Sequence, residues 1–131
     1  GVGGISVRHL LDVNVLLAAI WKEHPHHQRV FEWLKEQQIA VCPISELGFI
    51  RISTNAKSSF AAPMNKTRDL LKKFLSERDA SRIPDDLPAL ESNPAKSDEV
   101  TDAYLATLAA KHGFRLATLN TRVKHPAAVL I

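Results

Sequence analysis

Residues 7–17 read VRHLLDVNVLL, and this stretch is the strongest indication of the fold class. Residues 7–11 form an apolar run of strand length, and Asp12 follows it directly. Residues 13–21 are apolar on nearly every face, which predicts a buried helix rather than a second strand. A buried strand that leads through one polar residue into a buried helix is typical of α/β proteins with a parallel sheet.

The same alternation continues along the chain. Further strands are predicted at residues 40–42, 82–84, 115–119 and 127–131. Further helices are predicted at residues 26–37, 43–53, 66–78 and 97–111, with Asn65 as the N-cap of the third of these. This order predicts one domain over residues 5–131, an open parallel sheet covered by helices on both faces. Residues 1–4, GVGG, are expected to be a flexible N-terminus or an expression remnant.

Composition sets loose limits on function. The 131 residues are 45% hydrophobic and 24% charged, which is ordinary for a globular domain. A net charge of +3 permits an anionic partner such as nucleic acid without demanding one. The single cysteine, Cys42, excludes an intrachain disulfide and suits a reducing, cytoplasmic compartment. No run approaches the roughly 18 apolar residues of a membrane span, so no membrane association is expected.

Four polar residues stand where a parallel sheet would bring catalytic groups together. Asp12 and Asn120 follow strands, whereas Glu46 and Asp102 lie near the starts of helices. These positions share the carboxyl edge of such a sheet, where ligands bind. Each also has a simpler explanation. Asp12 can cap a helix, Glu46 can lie on an exposed helix face, and Asp102 can favour the helix dipole.

Three clustered acids would repel one another unless a cation were present. Mg²⁺ or Mn²⁺ prefers such oxygen ligands and can activate water for attack at phosphorus. Asn14 is a candidate supporting residue, and Thr101 and Thr118 could hydrogen-bond a carboxylate or simply pack. Arg51 and Arg122 each lie one or two turns from a candidate site residue and are candidates for phosphate contact. Neither a zinc-ligand pattern nor a glycine-rich phosphate loop occurs in the sequence.

The ordered set of motifs resembles the PIN domain family, and within it the toxins of VapBC toxin–antitoxin pairs. The resemblance covers nearly the whole chain, because the motifs are spread along it in the family's order. It is carried by residues 10–17 (LLDVNVLL), 24–34 (HPHHQRVFEWL), 45–51 (SELGFIR), 100–106 (VTDAYLA) and 116–120 (LATLN).

The resemblance implies a PIN-like three-layer α/β/α sandwich with a central, mostly parallel sheet. It also implies a Mg²⁺-dependent endoribonuclease, with Mn²⁺ as substitute, that cuts transfer or ribosomal RNA as the toxin of a type II pair. A cognate antitoxin would inhibit it, and a homodimer is expected. Asp12, Glu46 and Asp102 would be metal ligands or water-positioning acids, and Asn14 would have a hydrogen-bonding role. Asn120 stands in the place of the family's usual fourth acid.

Two other classes fit parts of the pattern. A degenerate, non-catalytic PIN-fold module that binds RNA or a protein would account for Asn120, although it would not require three acids. A flavodoxin-like phospho-receiver domain also places acids at strand ends. That class needs an acidic neighbour beside Asp12 and a lysine at the end of a late strand, whereas Lys124 lies beyond the strand.

Overall fold

A computed structural model describes residues 7–131 of the chain, so the expectation for residues 1–4 lies outside the described residues. The strands are β1 Arg8–Leu11, β2 Gln38–Val41, β3 Ser81–Arg82, β4 Arg115–Thr118 and β5 Ala128–Leu130. The helices are α1 Val13–Ile20, α2 His27–Leu34, α3 Pro43–Thr54, α4 Met64–Glu77 and α5 Val100–Lys111. Single 3₁₀ turns occupy Ala89–Glu91 and Ser97–Glu99. None of the helices within the described range combines the length and apolar character needed to cross a bilayer.

All five strands pair in parallel, in the order β3-β2-β1-β4-β5. The central strand is β1, where His9 pairs with Ile39 of β2 on one side and with Arg115 of β4 on the other. The carboxyl ends of β1 and β4 are therefore neighbours. This arrangement confirms the predicted α/β class with a parallel sheet.

Alternate residues of each strand enter different cores, because successive side chains point to opposite faces. Leu11 is fully buried in a core built with α1, α2, α3 and α4. Leu10 is fully buried in a second core, against α5. Four helices on one face and one on the other give the three layers of the predicted sandwich.

The start of α4 differs from the prediction that Asn65 caps it. Pro63 has extended backbone angles, and its carbonyl accepts the first helical hydrogen bond, from the Thr67 backbone N–H at 3.0 Å. The helix therefore begins at Met64, and Asn65 lies within its first turn, with its side chain accepting a hydrogen bond from the Lys66 backbone N–H. The φ of Pro63 is −61°, the value that its ring imposes, and the ψ of 146° keeps it in the extended conformation before the helix.

Close packing between α1 and α3 positions the start of both helices. A Cβ atom at Gly48 would lie 2.5 Å from Cγ2 of Val13, well inside van der Waals contact. Val13 follows Asp12 directly, and Gly48 lies two residues after Glu46. The absence of a side chain at Gly48 thus lets the two helices that carry candidate site residues approach each other.

Gly48→Ala is expected to destabilise the fold by about 1–3 kcal/mol, because Val13 has a branched, stiff side chain that cannot move aside. Urea denaturation measures this loss. The double variant Val13→Ala/Gly48→Ala is expected to be more stable than Gly48→Ala, since it removes the overlapping methyl groups. Wild-type stability of Gly48→Ala alone would contradict the packing described.

Candidate active site

Asp12 joins the end of β1 to the start of α1. Its backbone N–H donates to the Ala117 carbonyl at 3.0 Å and so continues the pairing of β1 with β4. Its Oδ1 accepts a hydrogen bond from the Val13 backbone N–H at 2.7 Å. The side chain is only 2% exposed. Asp12 therefore is a helix cap, as the simpler explanation required, and it is also a carboxylate buried at the sheet edge.

Thr118, the last residue of β4, donates through its hydroxyl to Asp12 Oδ2 at 2.8 Å. Asn14 reaches the same strand end, where its Oδ1 accepts from the Leu119 backbone N–H at 3.2 Å and its Nδ2 donates to Thr118 Oγ1 at 3.4 Å. Two of the three candidate supporting residues, Asn14 and Thr118, thus tie α1 to β4. Together they orient the Asp12 carboxylate.

Asp102 lies in the first turn of α5 and is half-buried. Its Oδ2 accepts a hydrogen bond from Asn120 Nδ2 at 2.9 Å. The Asn120 backbone N–H donates to Thr118 Oγ1 at 3.0 Å. One chain of hydrogen bonds therefore runs from Asp102 through Asn120 and Thr118 to Asp12.

The electrostatics of Asp12 reflect its burial and the nearby Asp102. Burial, followed by the charge of Asp102, raises the pKa of Asp12 to about 6. The hydrogen bonds from Thr118 and from the Val13 backbone lower the pKa only in part. Asp12 is therefore a carboxylate whose ionised form lacks sufficient compensation from the protein alone.

Glu46 lies in the first turn of α3 and is half-buried. Burial raises its pKa; Arg82 lowers the pKa and Asp85 raises it. Its charged neighbours are thus on the β3 side of the sheet. Among the described residues, the charge that acts on Asp12 is that of Asp102. The structure therefore joins Asp12, Asp102 and Asn120 through hydrogen bonds, and among the described residues Glu46 takes no part in that hydrogen-bonded cluster.

Two cavities meet at Asp102. One, of about 810 Å³, is lined by Asp12, Asp102, Arg51 and the exposed Thr101, among others. The other, of about 780 Å³, is lined by Asp102, Asn120 and Arg122, among others. Each cavity thus contains one of the two candidate phosphate-binding arginines.

The donor set suits a hard cation. Within residues 7–131 no group of three or more His, Cys, Asp and Glu side chains is arranged to hold a metal ion. The nearby oxygen atoms belong to the Asp12 and Asp102 carboxylates and the Thr118 hydroxyl, whereas Asn120 presents its amide nitrogen to Asp102. The groups that donate to the two carboxylates are all neutral. Mg²⁺ often takes only one or two carboxylates and completes its coordination with water or phosphate, so the two carboxylates fit one such ion.

Sequence reasoning missed the partners of Glu46. Arg82 is the last residue of β3 and Asp85 follows it. A strand of only two residues has too little pattern to place side chains from sequence. It also missed the exposure of Leu47 and Met64 beside the larger cavity, at 65% and 52%. The available signal was the spacing of Leu47 and Phe49. Residues two apart on a helix face different directions, so only one of these side chains can face the core.

Comparison with known proteins gives consistent matches. The PIN domain family matches residues 9–129. Ribonuclease VapC38 of Mycobacterium tuberculosis is 38% identical over 126 residues, covering 87% of this chain and 86% of the relative. Ribonuclease VapC39 of the same organism is 34% identical over 130 residues, covering 91% and 93%. A crystal structure of VapBC2 from Rickettsia felis bound to a promoter DNA fragment superposes with a TM-score of 0.62 at 20% identity, covering 95% of this chain and 97% of that one, and supports the fold alone.

The raised pKa of Asp12 makes stability depend on pH in protein freed of divalent cations. The folded state binds the Asp12 proton more tightly than the unfolded chain does. The stabilising contribution is therefore complete below about pH 4 and is lost as the pH rises through about 6. Asp12→Asn removes this titration. In EDTA, the free energy of unfolding of the wild type minus that of the variant is expected to fall by about 2–3 kcal/mol between about pH 4 and about pH 8.

The exposed Asp69→Asn serves as the control for the loss of a surface carboxylate. Urea denaturation monitored by circular dichroism measures all three proteins. A pH-independent difference between the wild type and Asp12→Asn would contradict the account of Asp12.

Proposed function

The chain belongs to the PIN domain family, and from this premise we propose that it is a Mg²⁺- or Mn²⁺-dependent endoribonuclease, the toxin of a type II toxin–antitoxin pair. The names of its relatives, Ribonuclease VapC38 and Ribonuclease VapC39, support the ribonuclease activity. The observation that carries the proposal is the pairing of Asp12 with Asp102 at the junction of two cavities.

The two cavities support cleavage within a chain rather than at its end. A site at which two cavities meet can admit nucleotides on either side of a phosphodiester bond. Arg51 lines one cavity and Arg122 the other, and both side chains are exposed. We assign them to the phosphates that flank the bond to be cut, a role that positions a nucleic acid without reading its sequence. Transfer or ribosomal RNA is the proposed substrate class.

The residues divide the work of binding and orientation. When bound, Mg²⁺ or Mn²⁺ stabilises charge on the phosphate and makes water a better nucleophile. Asp12 and Asp102 are the proposed ligands, because their carboxylates lie together without a positive partner. Thr118 holds Asp12 through its hydroxyl, and Asn120 holds Asp102 through its amide.

We propose Glu46 as a third acid that positions water rather than the cation. This role is supported by its raised pKa, because a carboxylate with a raised pKa accepts a proton more readily. A role other than direct ligand is also consistent with the charges that act on Glu46, which are those of Arg82 and Asp85.

The larger cavity also supports an antitoxin partner. Leu47 and Met64 are exposed on it, and Leu17 and Ile44 add further apolar surface. An apolar segment of an antitoxin could cover this surface, and a basic residue at its end could reach Asp102. The VapBC2 structure, which contains a chain similar to this one, supports the proposal of an antitoxin partner. A homodimer is proposed on the family resemblance, and light scattering of the purified chain tests it.

A second candidate function is a non-catalytic module that binds RNA or a protein partner. Asn120 favours it, because an amide contributes no charge to a metal site. It differs from the main proposal in one result, namely measurable RNA binding with no cleavage in either Mg²⁺ or Mn²⁺.

Asp12→Asn and Asp102→Asn are each expected to lower the rate of RNA cleavage on the order of 100-fold or more, since each removes a carboxylate from the reacting centre. A gel assay on total transfer and ribosomal RNA with Mg²⁺ or Mn²⁺ measures this, and EDTA is expected to abolish cleavage. Asp69→Asn is the matched control and should cleave as the wild type does. Undiminished cleavage by Asp12→Asn would overturn the assignment.

Leu47→Asp is expected to weaken the complex with the antitoxin at least about tenfold, because it places a charge on apolar surface that the partner would cover. Leu90→Asp is the control, since Leu90 is 97% exposed in the 3₁₀ turn that follows β3. Calorimetric titration with the product of the adjacent reading frame measures both affinities. Equal affinities for the two variants would argue against an interface on the larger cavity.

A further inference from the structure

Two partners fix the orientation of the Asn120 amide. Its Oδ1 accepts from the Arg122 backbone N–H at 3.0 Å, and its Nδ2 donates to Asp102 Oδ2 at 2.9 Å. A backbone N–H can only donate, and an ionised carboxylate can only accept. A flipped amide would lose both hydrogen bonds, so the amide nitrogen faces Asp102.

A carboxylate at position 120 would repel the Asp102 carboxylate instead of donating a hydrogen bond to it. The substitution Asn120→Asp would place an oxygen against Asp102 Oδ2 at hydrogen-bond distance. Carboxylates that share a site in this way need a proton or a cation between them. Asn120 donates a hydrogen bond instead, so its contact with Asp102 requires neither.

Asn120 also links the two acids. Its backbone N–H donates to Thr118 Oγ1, and the Thr118 hydroxyl donates to Asp12 Oδ2. The position of Asp102 is thereby set relative to Asp12 through neutral groups of the β4 end. The two carboxylates are left as the charged oxygen donors of this cluster.

We infer that Asn120 is a positioning residue that limits this site to one divalent cation, held by Asp12 and Asp102. Its amide provides at Asp102 the stabilisation that a second cation would otherwise provide. The inference rests on the proposed function, and it adds the number of ions and the residue that sets that number.

Calorimetric titration of the full chain with Mn²⁺ tests this stoichiometry. The wild type is expected to bind one ion, and Asn120→Asp to bind two, because the added carboxylate creates a second charged pair with Asp102. Asn55→Asp is the matched control. The exposed Asn55 side chain accepts from the backbone N–H two residues later, that of Lys57, at 2.9 Å, as Asn120 accepts from Arg122. It is expected to bind one ion.

Asn120→Ala provides a second test that does not depend on folding of the acidic variant. It removes the group that orients Asp102 and adds no charge. It is expected to bind one Mn²⁺ about 10–100-fold more weakly than the wild type, as loss of a group supporting a ligand does. An unchanged affinity would overturn the positioning role.

Two ions bound by the wild type, or one ion bound by a folded Asn120→Asp, would overturn the inference. RNA cleavage assayed on the same preparations separates this failure from that of the proposed function. One bound ion without cleavage supports the inference and rejects the endoribonuclease. Two bound ions with cleavage reject the inference and support the endoribonuclease. No bound ion rejects both the inference and the proposed metal dependence.

Discussion

The rest of the site depends on the burial of one carboxylate at the end of β1. Asp12 caps α1 through one oxygen and accepts from Thr118 of β4 through the other. A single side chain thus joins two strand ends and a helix start, with 2% of its surface exposed. Burying a charge in this way is costly unless it is compensated, and its neutral hydrogen bonds compensate only part of the cost. The fold therefore holds Asp12 in a state that a cation would relieve.

Because Asp102 lies close to Asp12, the buried carboxylate becomes part of a site. Helix α5 packs on the opposite face of the sheet from α1, so Asp12 and Asp102 approach the same edge from different layers. Asp102 also lines both of the cavities described above. Charge, burial and access coincide there, which is the combination expected of a functional site.

Much of this arrangement could be predicted from the sequence, since it follows from the parallel sheet. Strand and helix alternation gave the layers, and the common carboxyl edge brought Asp12, Asp102 and Asn120 into one cluster. The direction of Glu46 could not be predicted, because it depends on the rotation of α3 about its axis. The contact of Gly48 with Val13 constrains that rotation, and only coordinates reveal it. Likewise, the Asn120 amide is oriented by a backbone N–H whose direction no residue pattern encodes.

The most direct test is a crystal structure grown with Mn²⁺ and measured at a wavelength where manganese scatters anomalously. We expect one anomalous peak in this cluster, from an ion coordinated by both Asp12 and Asp102, with the Asn120 amide still donating to Asp102. A peak bound elsewhere, two peaks in the cluster, or no peak at saturating Mn²⁺ would contradict it.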